Sequence, residues 1–408
     1  MKLKKSKYIH ESNLGEYVIW GDERTGDWFK LATDWMNILN SFLSNELSEI
    51  EFMTSFEDKE DREYFEGIVK FLKDREFIVP QNTKEENSFG QVYIAVTNRC
   101  NLYCSHCCYD ASKLDNQVYD LPMEKMKEIF DKVTKMSPDS IVISGGEPLI
   151  RKDIMILLEY LRNNFQGKII LATNAILING TNVQKICNLV DGFDISIDGV
   201  DEETCSKIRG KGVFEKVIKS IKLIRNIDDK YISLSMVDVE KNDEIIQRFI
   251  TLNNELNTKP VIRYFYALGR GVELEKKIRK KDAGDTFTEK SKPLSEWNEY
   301  LLTNHCGAGN RQILIDYDGK IYPCGMLIKD EFCMGNIFQI SDVAEYIQKH
   351  EFCFESLKPW NAEKCNRCDA RMFCYNCLGE YEILKQNGAI EENLCIRKEN
   401  IVKTMEAL

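Results

Sequence analysis

Cysteine is the residue type that most constrains this chain. The sequence has 408 residues and 15 cysteines, and most of the cysteines fall into an early group around residue 104 and a late group after residue 305. Secreted disulfide scaffolds are also rich in cysteine, but they are usually short and carry an export signal. The basic start of this chain, MKLKKSKYIHES, leads into no apolar segment. We therefore expect a cytoplasmic protein whose grouped thiols bind metal.

Composition and charge exclude several other classes of protein. With 43% hydrophobic and 30% charged residues, the chain has enough apolar surface to fold. Its net charge is −11, which opposes binding to a phosphate backbone or to an anionic membrane surface. No segment approaches the roughly 18 apolar residues that are needed to cross a bilayer. We expect neither a nucleic acid nor a membrane as partner.

The order of the predicted elements divides the chain into four parts. Residues 1–82 predict a small domain of strands and helices, and a polar linker follows them. Residues 90–270 alternate strands with helices, which predicts an α/β fold: a partial (β/α)6 barrel with its chemistry at the carboxyl ends of parallel strands. Residues 271–304 are a charged connector, and residues 305–408 contain nine cysteines.

Short apolar runs and helical spacing locate the elements of the barrel. The strands are predicted at 92–96, 140–144, 168–172, 193–197, 232–237 and 261–266. The clearest helices are predicted at 123–133, 154–161 and 214–224.

The first cysteine motif directly follows the first predicted strand. In RCNLYCSHCCYD, Cys100, Cys104 and Cys107 have the spacing CxxxCxxC. Three thiolates in one loop can converge on one iron–sulfur cubane and leave its fourth iron without a protein ligand. Zinc is the alternative for a bare CxxC pair, but the motif SGGEP after the second strand favours a cluster. His106 and Cys108 are not expected to be ligands.

At these residues the sequence resembles the radical S-adenosylmethionine (SAM) enzymes. The resemblance implies that Cys100, Cys104 and Cys107 are catalytic, because in that family they hold a [4Fe-4S] cluster that cleaves SAM to a 5′-deoxyadenosyl radical. Two glycines in SGGEP let the backbone approach a ligand closely, Glu147 suits the SAM ammonium group, and Arg209 suits a carboxylate. The SAM contacts implied by matching motifs are Gly145, Gly146, Glu147, Asn174, Ser196, Asp198 and Arg209.

The late cysteines resemble the SPASM extension, which carries two auxiliary [4Fe-4S] clusters. The matching spacings are C-x12-G-x4-C and CxxCx5C, whereas the gap between Cys374 and Cys377 is one residue shorter than is usual in the family. The resemblance assigns an outer cluster to Cys365, Cys368, Cys374 and Cys395. It assigns an inner cluster to Cys306, Cys324 and Cys377. The chain is thus expected to hold three [4Fe-4S] clusters and SAM.

The inner cluster has only three matched cysteines. Either its fourth iron is open, or Cys333 or Cys353 binds it. Cys333 is the better candidate for that ligand, because it lies just before Gly335-Asn336, a predicted return strand of a hairpin. We favour the open iron, which would bind the thiol of a substrate and lower its pKa.

Residues 1–82 resemble the recognition element of ribosomal-peptide maturases, a winged-helix-like α+β domain. A predicted hairpin at 16–20 and 27–31 precedes three helices. Helical spacing predicts buried stripes at Trp35, Ile38, Leu39 and Phe42, and at Phe65, Ile68, Val69 and Leu72. The resemblance implies that a leader peptide adds a strand to the edge of the sheet. A DNA-binding winged helix is the alternative, but segment 46–63 carries eight acidic and two basic residues, which opposes it.

Together these resemblances imply a peptide maturase of the sactipeptide or ranthipeptide type. Such an enzyme joins a cysteine sulfur to a carbon of another residue in a ribosomally made precursor peptide, and it takes electrons from a donor such as flavodoxin or ferredoxin. Carbon–carbon cross-linking, epimerisation and sulfatase-type formylglycine formation remain alternatives within the class. A zinc-stapled peptide-binding adaptor is the alternative outside it.

Overall fold

The computed structural model describes residues 1–85, 88–113, 120–239, 242–281 and 305–407. They pack into two compact units. The first contains Met1–Asn87, Cys353–Leu408 and the segment 305–307, and the second contains Ser88–Thr286 and Ala308–Phe352. The first residues of the chain and its cysteine-rich end thus share one packed unit, although the sequence places them in separate domains. The functional boundaries at residues 82, 90, 270 and 304 stay a prediction.

The first unit begins with a small α+β domain. Its elements are β1 (Leu3–Lys5), β2 (Ile9–Asn13), β3 (Tyr17–Asp22), β4 (Trp28–Ala32), α1 (Thr33–Ser44), α2 (Glu49–Thr54), α3 (Lys59–Asp74) and β5 (Ile78–Pro80). Strands β2, β3 and β4 form an antiparallel sheet in that order, and β1 pairs with β5. The hairpin and the three helices agree with the prediction.

The buried face of α1 differs from the predicted stripe. Met36, Leu39 and Phe42 are buried, whereas Ile38 is 38% exposed. The helix therefore turns Met36 rather than Ile38 towards the core. The stripe of α3 is buried as predicted, and both stripes join one apolar core with Trp20 of β3.

The second unit contains the barrel. Its elements are β6 (Gln91–Ala95), β7 (Arg99–Cys100), β8 (Ser112–Lys113), α4 (Met123–Lys135), β9 (Ser140–Ser144), α5 (Ile154–Asn164), β10 (Lys168–Thr173), α6 (Val183–Leu189), β11 (Gly192–Ser196), α7 (Glu202–Arg209), α8 (Val213–Ile227), β12 (Tyr231–Asp238), α9 (Asp243–Leu256), β13 (Lys259–Tyr264), α10 (Gly271–Lys281), β14 (Gln312–Ile315), β15 (Lys320–Tyr322), β16 (Gly335–Asn336) and α11 (Val343–Lys349).

One nine-stranded sheet organises this unit, in the order β13-β12-β11-β10-β9-β6-β14-β15-β16. The six predicted strands are all present and run parallel, which confirms the α/β barrel class. Strand β14 was not predicted; it lies parallel to β6, with Gln312 opposite Gln91. Strands β15 and β16 follow antiparallel, and β16 is the predicted return strand.

The cysteine-rich end of the first unit consists of short helices. They are α12 (Arg371–Cys374), α13 (Leu378–Gln386), α14 (Ile390–Asn393) and α15 (Lys398–Ala407). Met372, Phe373 and Met405 from this end pack with Ile19 of β3 in one buried cluster. Among the described residues, no helix is both long enough and apolar enough to cross a membrane.

Candidate active site

The three early cysteines lie together beyond the carboxyl end of β6. Cys100 and Cys104 are buried, and Cys107 is half-buried. Burial, with smaller contributions from the charges of Glu147, Cys104 and Cys107, raises the pKa of the Cys100 thiol to about 11. The loop therefore brings the three predicted ligands within electrostatic reach of one another.

The glycines of SGGEP let this loop pack against the backbone that leads into the first cysteine. A Cβ on Gly145, whose φ is +134°, would lie 2.3 Å from the carbonyl oxygen of Thr97, and a Cβ on Gly146 would lie 2.2 Å from that of Arg99. The backbone N–H of Gly146 donates to Thr97 at 2.8 Å. The close approach found here is thus between two chain segments.

Replacing Gly146 with alanine is expected to displace the segment that leads into the first cysteine. A forced contact of this kind costs about 1–3 kcal/mol, so both thermal stability and iron bound to the early cysteines should fall. Calorimetry and iron analysis measure the two effects. Gly180→Ala is the matched control, because a Cβ there meets nothing within 4 Å. Equal losses in the two variants would contradict this explanation.

Glu147 presents a fully buried carboxylate beside the cysteines. It accepts hydrogen bonds from Thr173 Oγ1 at 2.7 Å, from the backbone N–H of Asn174 at 2.8 Å and from that of Leu149 at 3.1 Å. Burial nevertheless raises its pKa. A carboxylate offers about four acceptor positions, and these three donors use three of them; contact of Glu147 with the SAM ammonium group stays a prediction.

Asp198 follows β11 and joins the cysteine loop to the end of β12 at the carboxyl edge of the parallel strands. Its backbone has φ +52°, and its carboxylate accepts from Arg209 Nε at 2.6 Å and from the backbone N–H of Val237 at 2.7 Å. Its Oδ2 also lies 2.5 Å from His106 Nε2. Burial alone would raise the pKa of Asp198. The charges of Arg209 and His106 outweigh that effect and hold the pKa well below its usual range.

The pairing of Asp198 with Arg209 was not predicted, since each was assigned separately to SAM. Burial raises the pKa of Cys104, and the guanidinium of Arg209 offsets part of that rise. This cation therefore also lies near the second cysteine. His106, which was predicted as an ordinary loop residue, ties the cysteine loop to Asp198. No local sequence pattern indicates this contact, because the two residues are 92 positions apart.

The two remaining predicted SAM contacts lie at the same edge. Asn174 directly follows β10, and its side-chain Nδ2 donates to Asn101 Oδ1 at 2.8 Å. Ser196 is the last residue of β11 and is paired with Ser235 of β12. Their direct contact with SAM stays a prediction.

Four late cysteines form one group within the first unit. Burial raises the pKa of Cys374 to about 12, and the charges of Cys365, Cys368 and Cys395 add to the effect. The Tyr381 hydroxyl lies 3.8 Å from the sulfur of Cys365. The structure thus brings together the four residues that were assigned to the outer cluster.

The residues assigned to the inner cluster are divided between the two units. Cys306 and Cys377 belong to the first, where burial raises the pKa of Cys377 to about 11 and the charge of Cys306 adds to it. Cys324 belongs to the second and is buried. Cys333 packs against an apolar cluster that includes Leu314, with its sulfur 3.5 Å from the carbonyl oxygen of Gly335. Its role as a fourth ligand stays a prediction.

The donor sets suit clusters better than single ions. Within the part of the chain that the structure describes, no three His, Cys, Asp or Glu side chains lie close enough together to hold one metal ion. The thiolates of a cubane each bind a different iron, so they are spaced more widely than the ligands of one ion. All-thiolate sets of three and four fit [4Fe-4S] clusters.

The fold and this arrangement of thiols define a radical SAM enzyme with a SPASM domain. Residues 94–252 match the radical SAM superfamily, and residues 306–369 match SPASM, described as an iron-sulfur cluster-binding domain. The chain therefore contains a radical SAM domain and a SPASM domain, and it is an enzyme. Its cofactors are accordingly SAM, a [4Fe-4S] cluster and auxiliary clusters.

Two curated relatives and one solved structure are similar to the chain. The mycofactocin maturase MftC of Mycolicibacterium smegmatis is 26% identical over 298 residues, which cover 67% of this chain and 74% of MftC. The antilisterial bacteriocin subtilosin biosynthesis protein AlbA of Bacillus subtilis is 25% identical over 318 residues, covering 74% of this chain and 69% of AlbA. SuiB of Streptococcus suis, solved with its precursor peptide SuiA, has a TM-score of 0.54 at 16% identity and covers 93% of this chain and 96% of SuiB. That last similarity shows a shared fold.

Proposed function

We propose that this chain is a peptide maturase that forms a thioether between a cysteine sulfur and a carbon of another residue in a ribosomally made precursor. Two of its relatives are named for the maturation of mycofactocin and the biosynthesis of a bacteriocin. The observation that carries the proposal is the N-terminal sheet, because it offers a suitable edge to an extended peptide.

The two edges of that sheet differ. On β2, the carbonyl oxygen of Glu11 accepts from the guanidinium of Arg371, and Ser12 Oγ donates to the carbonyl oxygen of Asp369. Strand β4 is the other edge strand among the described residues. An extended leader peptide that pairs with backbone groups would therefore bind along β4.

Aromatic side chains lie beside β4. Phe29 of β4 contacts Phe71 of α3, with ring centroids 5.8 Å apart, and Trp35 of α1 contacts Tyr64 of α3 at 5.6 Å. Phe71 is 40% exposed and Tyr64 is 49% exposed. These rings would bind apolar side chains of the leader and so fix its register.

The barrel would orient SAM through its own polar groups. Glu147 would accept from the ammonium group of SAM, and Arg209, held by Asp198, would donate to its carboxylate. When bound, the cluster and SAM supply a 5′-deoxyadenosyl radical, which takes a hydrogen atom from the acceptor carbon. Forming that radical would consume one electron from a donor such as flavodoxin or ferredoxin. Closing the carbon–sulfur bond would then release the thiol proton and one electron, and the oxidised carrier could take that electron back, so that no net reductant is needed.

The inner cysteine group favours a thioether over the other products. The SPASM resemblance assigns Cys306, Cys324 and Cys377 to this cluster, and a set of only three thiolates would leave one iron open to a thiolate from the substrate. Cys333 packs in an apolar cluster, which supports its exclusion from that position. A substrate thiol held there would have a lowered pKa and a fixed sulfur.

Mass spectrometry of co-expressed precursors tests the proposed product. The short open reading frames that flank the gene would be expressed with this enzyme in an anaerobic bacterial host, with Cys104→Ala as the inactive control. We expect a precursor that loses two hydrogens and has one cysteine fewer that reacts with iodoacetamide. Loss of two hydrogens with every cysteine still reactive would indicate a carbon–carbon bond. An unchanged mass with a D-residue would indicate epimerisation, and an aldehyde would indicate formylglycine.

A further inference from the structure

Arg270 holds the loop that carries two of the three early cysteines. It lies after β13 in the sequence, 166 residues beyond Cys104. Its Nε donates to the carbonyl oxygen of Cys104 at 3.0 Å, and its backbone N–H donates to that of Cys107 at 3.1 Å. One residue from the connection between β13 and α10 thus holds the backbone at both cysteines.

The rest of the same side chain binds the flanks of the loop. Nη1 donates to Asp110 Oδ1 at 2.9 Å and to the carbonyl oxygen of Ala111 at 2.8 Å. The guanidinium also stacks on Tyr103, with its Cζ 4.0 Å from the ring centroid. Only 11% of the Arg270 side chain is exposed. The cysteine loop therefore wraps around a nearly buried cation.

Gly269 makes this close packing possible. Its φ is +52°, and a Cβ there would lie 2.4 Å from the carbonyl oxygen of Cys107 and 2.7 Å from that of Cys108. Any side chain at this position would push the segment before α10 away from the cysteine loop. The backbone N–H of Arg270 reaches Cys107 because the preceding residue is glycine.

We propose that Arg270 is a positioning residue for the radical SAM cluster: it fixes the loop of Cys104 and Cys107, and its charge raises the reduction potential of the cluster they hold. Reduction adds one negative charge to a cluster, and a cation in a medium of low dielectric stabilises that state. The carboxylate of Asp110 opposes the cation, but it is 67% exposed, so solvent screens it more. This inference rests on the radical SAM assignment and not on the product of the reaction.

A redox titration followed by electron paramagnetic resonance tests the proposal in the full, reconstituted chain. The signal that changes when SAM is added reports the radical SAM cluster apart from the auxiliary clusters. Arg270→Gln removes the charge but keeps N–H donors, so its midpoint potential should be lower than that of the wild type. Arg270→Lys keeps the charge but loses the planar fork, so its midpoint should stay closer to the wild type while fewer SAM-responsive spins form.

Two further variants make the test decisive. Asp110 has φ +47°, which asparagine tolerates, so Asp110→Asn removes the opposing charge and should raise the midpoint. Arg162→Gln is the matched control, because Arg162 binds Asp191 at 2.8 Å and the carbonyl oxygen of Gly167 at 3.0 Å in a loop without cysteine. An unchanged midpoint in Arg270→Gln, or an equal shift in Arg162→Gln, would overturn the proposal. If Arg270→Gln binds no cluster, the Asp110→Asn variant decides the matter. A midpoint potential in that variant that does not rise above the wild-type value would also overturn the proposal.

Discussion

Replacing Cys104 with alanine is expected to reduce the cleavage of SAM below detection. Two thiolates hold a cubane poorly, and the iron that would bind SAM then has no fixed position. The loss should be specific, because the four cysteines of the outer group belong to the other compact unit. Iron and sulfide analysis with a 5′-deoxyadenosine assay under strong reductant measures it, and the signals of the auxiliary clusters should persist.

Cys187→Ala is the matched control for this experiment. Cys187 is buried in α6, so its loss should cost some stability but no cluster. If Cys104→Ala formed 5′-deoxyadenosine at the wild-type rate, the assignment of the catalytic cluster would be wrong. If Cys187→Ala lost SAM cleavage as fully as Cys104→Ala, the effect would be one of folding and not of ligation.

Local sequence patterns were sufficient for the barrel strands and for the cysteine motifs. The run around Ile141 is short and apolar, the run around Phe193 alternates apolar and polar residues, and both are bounded by polar or glycine residues, which is typical of a strand. The motifs directly follow strands, which places them at one edge of a parallel sheet. Position along the chain was therefore enough to bring Glu147 near Cys100, and the structure has them within electrostatic reach.

Contacts between distant residues could not be predicted in this way. Arg270 is a single charge in the connection between β13 and α10, and nothing near it in the sequence indicates that it contacts Cys104. The pairing of β14 with β6 could not be predicted for the same reason, because a short apolar run does not specify its partner strand. His106 and Asp198 are likewise recognisable as a pair only once β11 and the cysteine loop share an edge.

The N-terminal domain packs on the outer cysteine group, and this is another contact between residues that are distant in the sequence. It changes the result that is expected when the N-terminal domain is deleted. Arg371 donates through Nη1 to the carbonyl oxygen of Cys368 at 3.1 Å and through Nη2 to that of Glu11. His10 stacks on Trp360 with ring centroids 3.6 Å apart. The sheet that we propose to bind the leader therefore also supports a loop that carries ligands of the outer cluster.

Deleting residues 1–82 is accordingly expected to cost the outer cluster as well as modification of the peptide. The deletion would expose Met372, Phe373 and Met405, each worth about 1.5–3 kcal/mol when buried, and would leave Arg371 without its partner on β2. Bound iron should fall by about one third, because one of three [4Fe-4S] clusters is lost. SAM cleavage should persist, since the three early cysteines lie in the other unit.

Two point variants separate support of the cluster from recognition of the peptide. Arg371→Gln leaves β4 and its aromatic neighbours intact but weakens the link between β2 and Cys368, so it should lower retention of the outer cluster while the precursor still binds. Lys73→Gln removes an ion pair with Glu49 inside the N-terminal domain and is the control that should change neither. A truncated chain that kept all of its iron would show that the outer cluster needs no support from β2. Loss of SAM cleavage on truncation would show that the barrel does not work independently of the N-terminal domain.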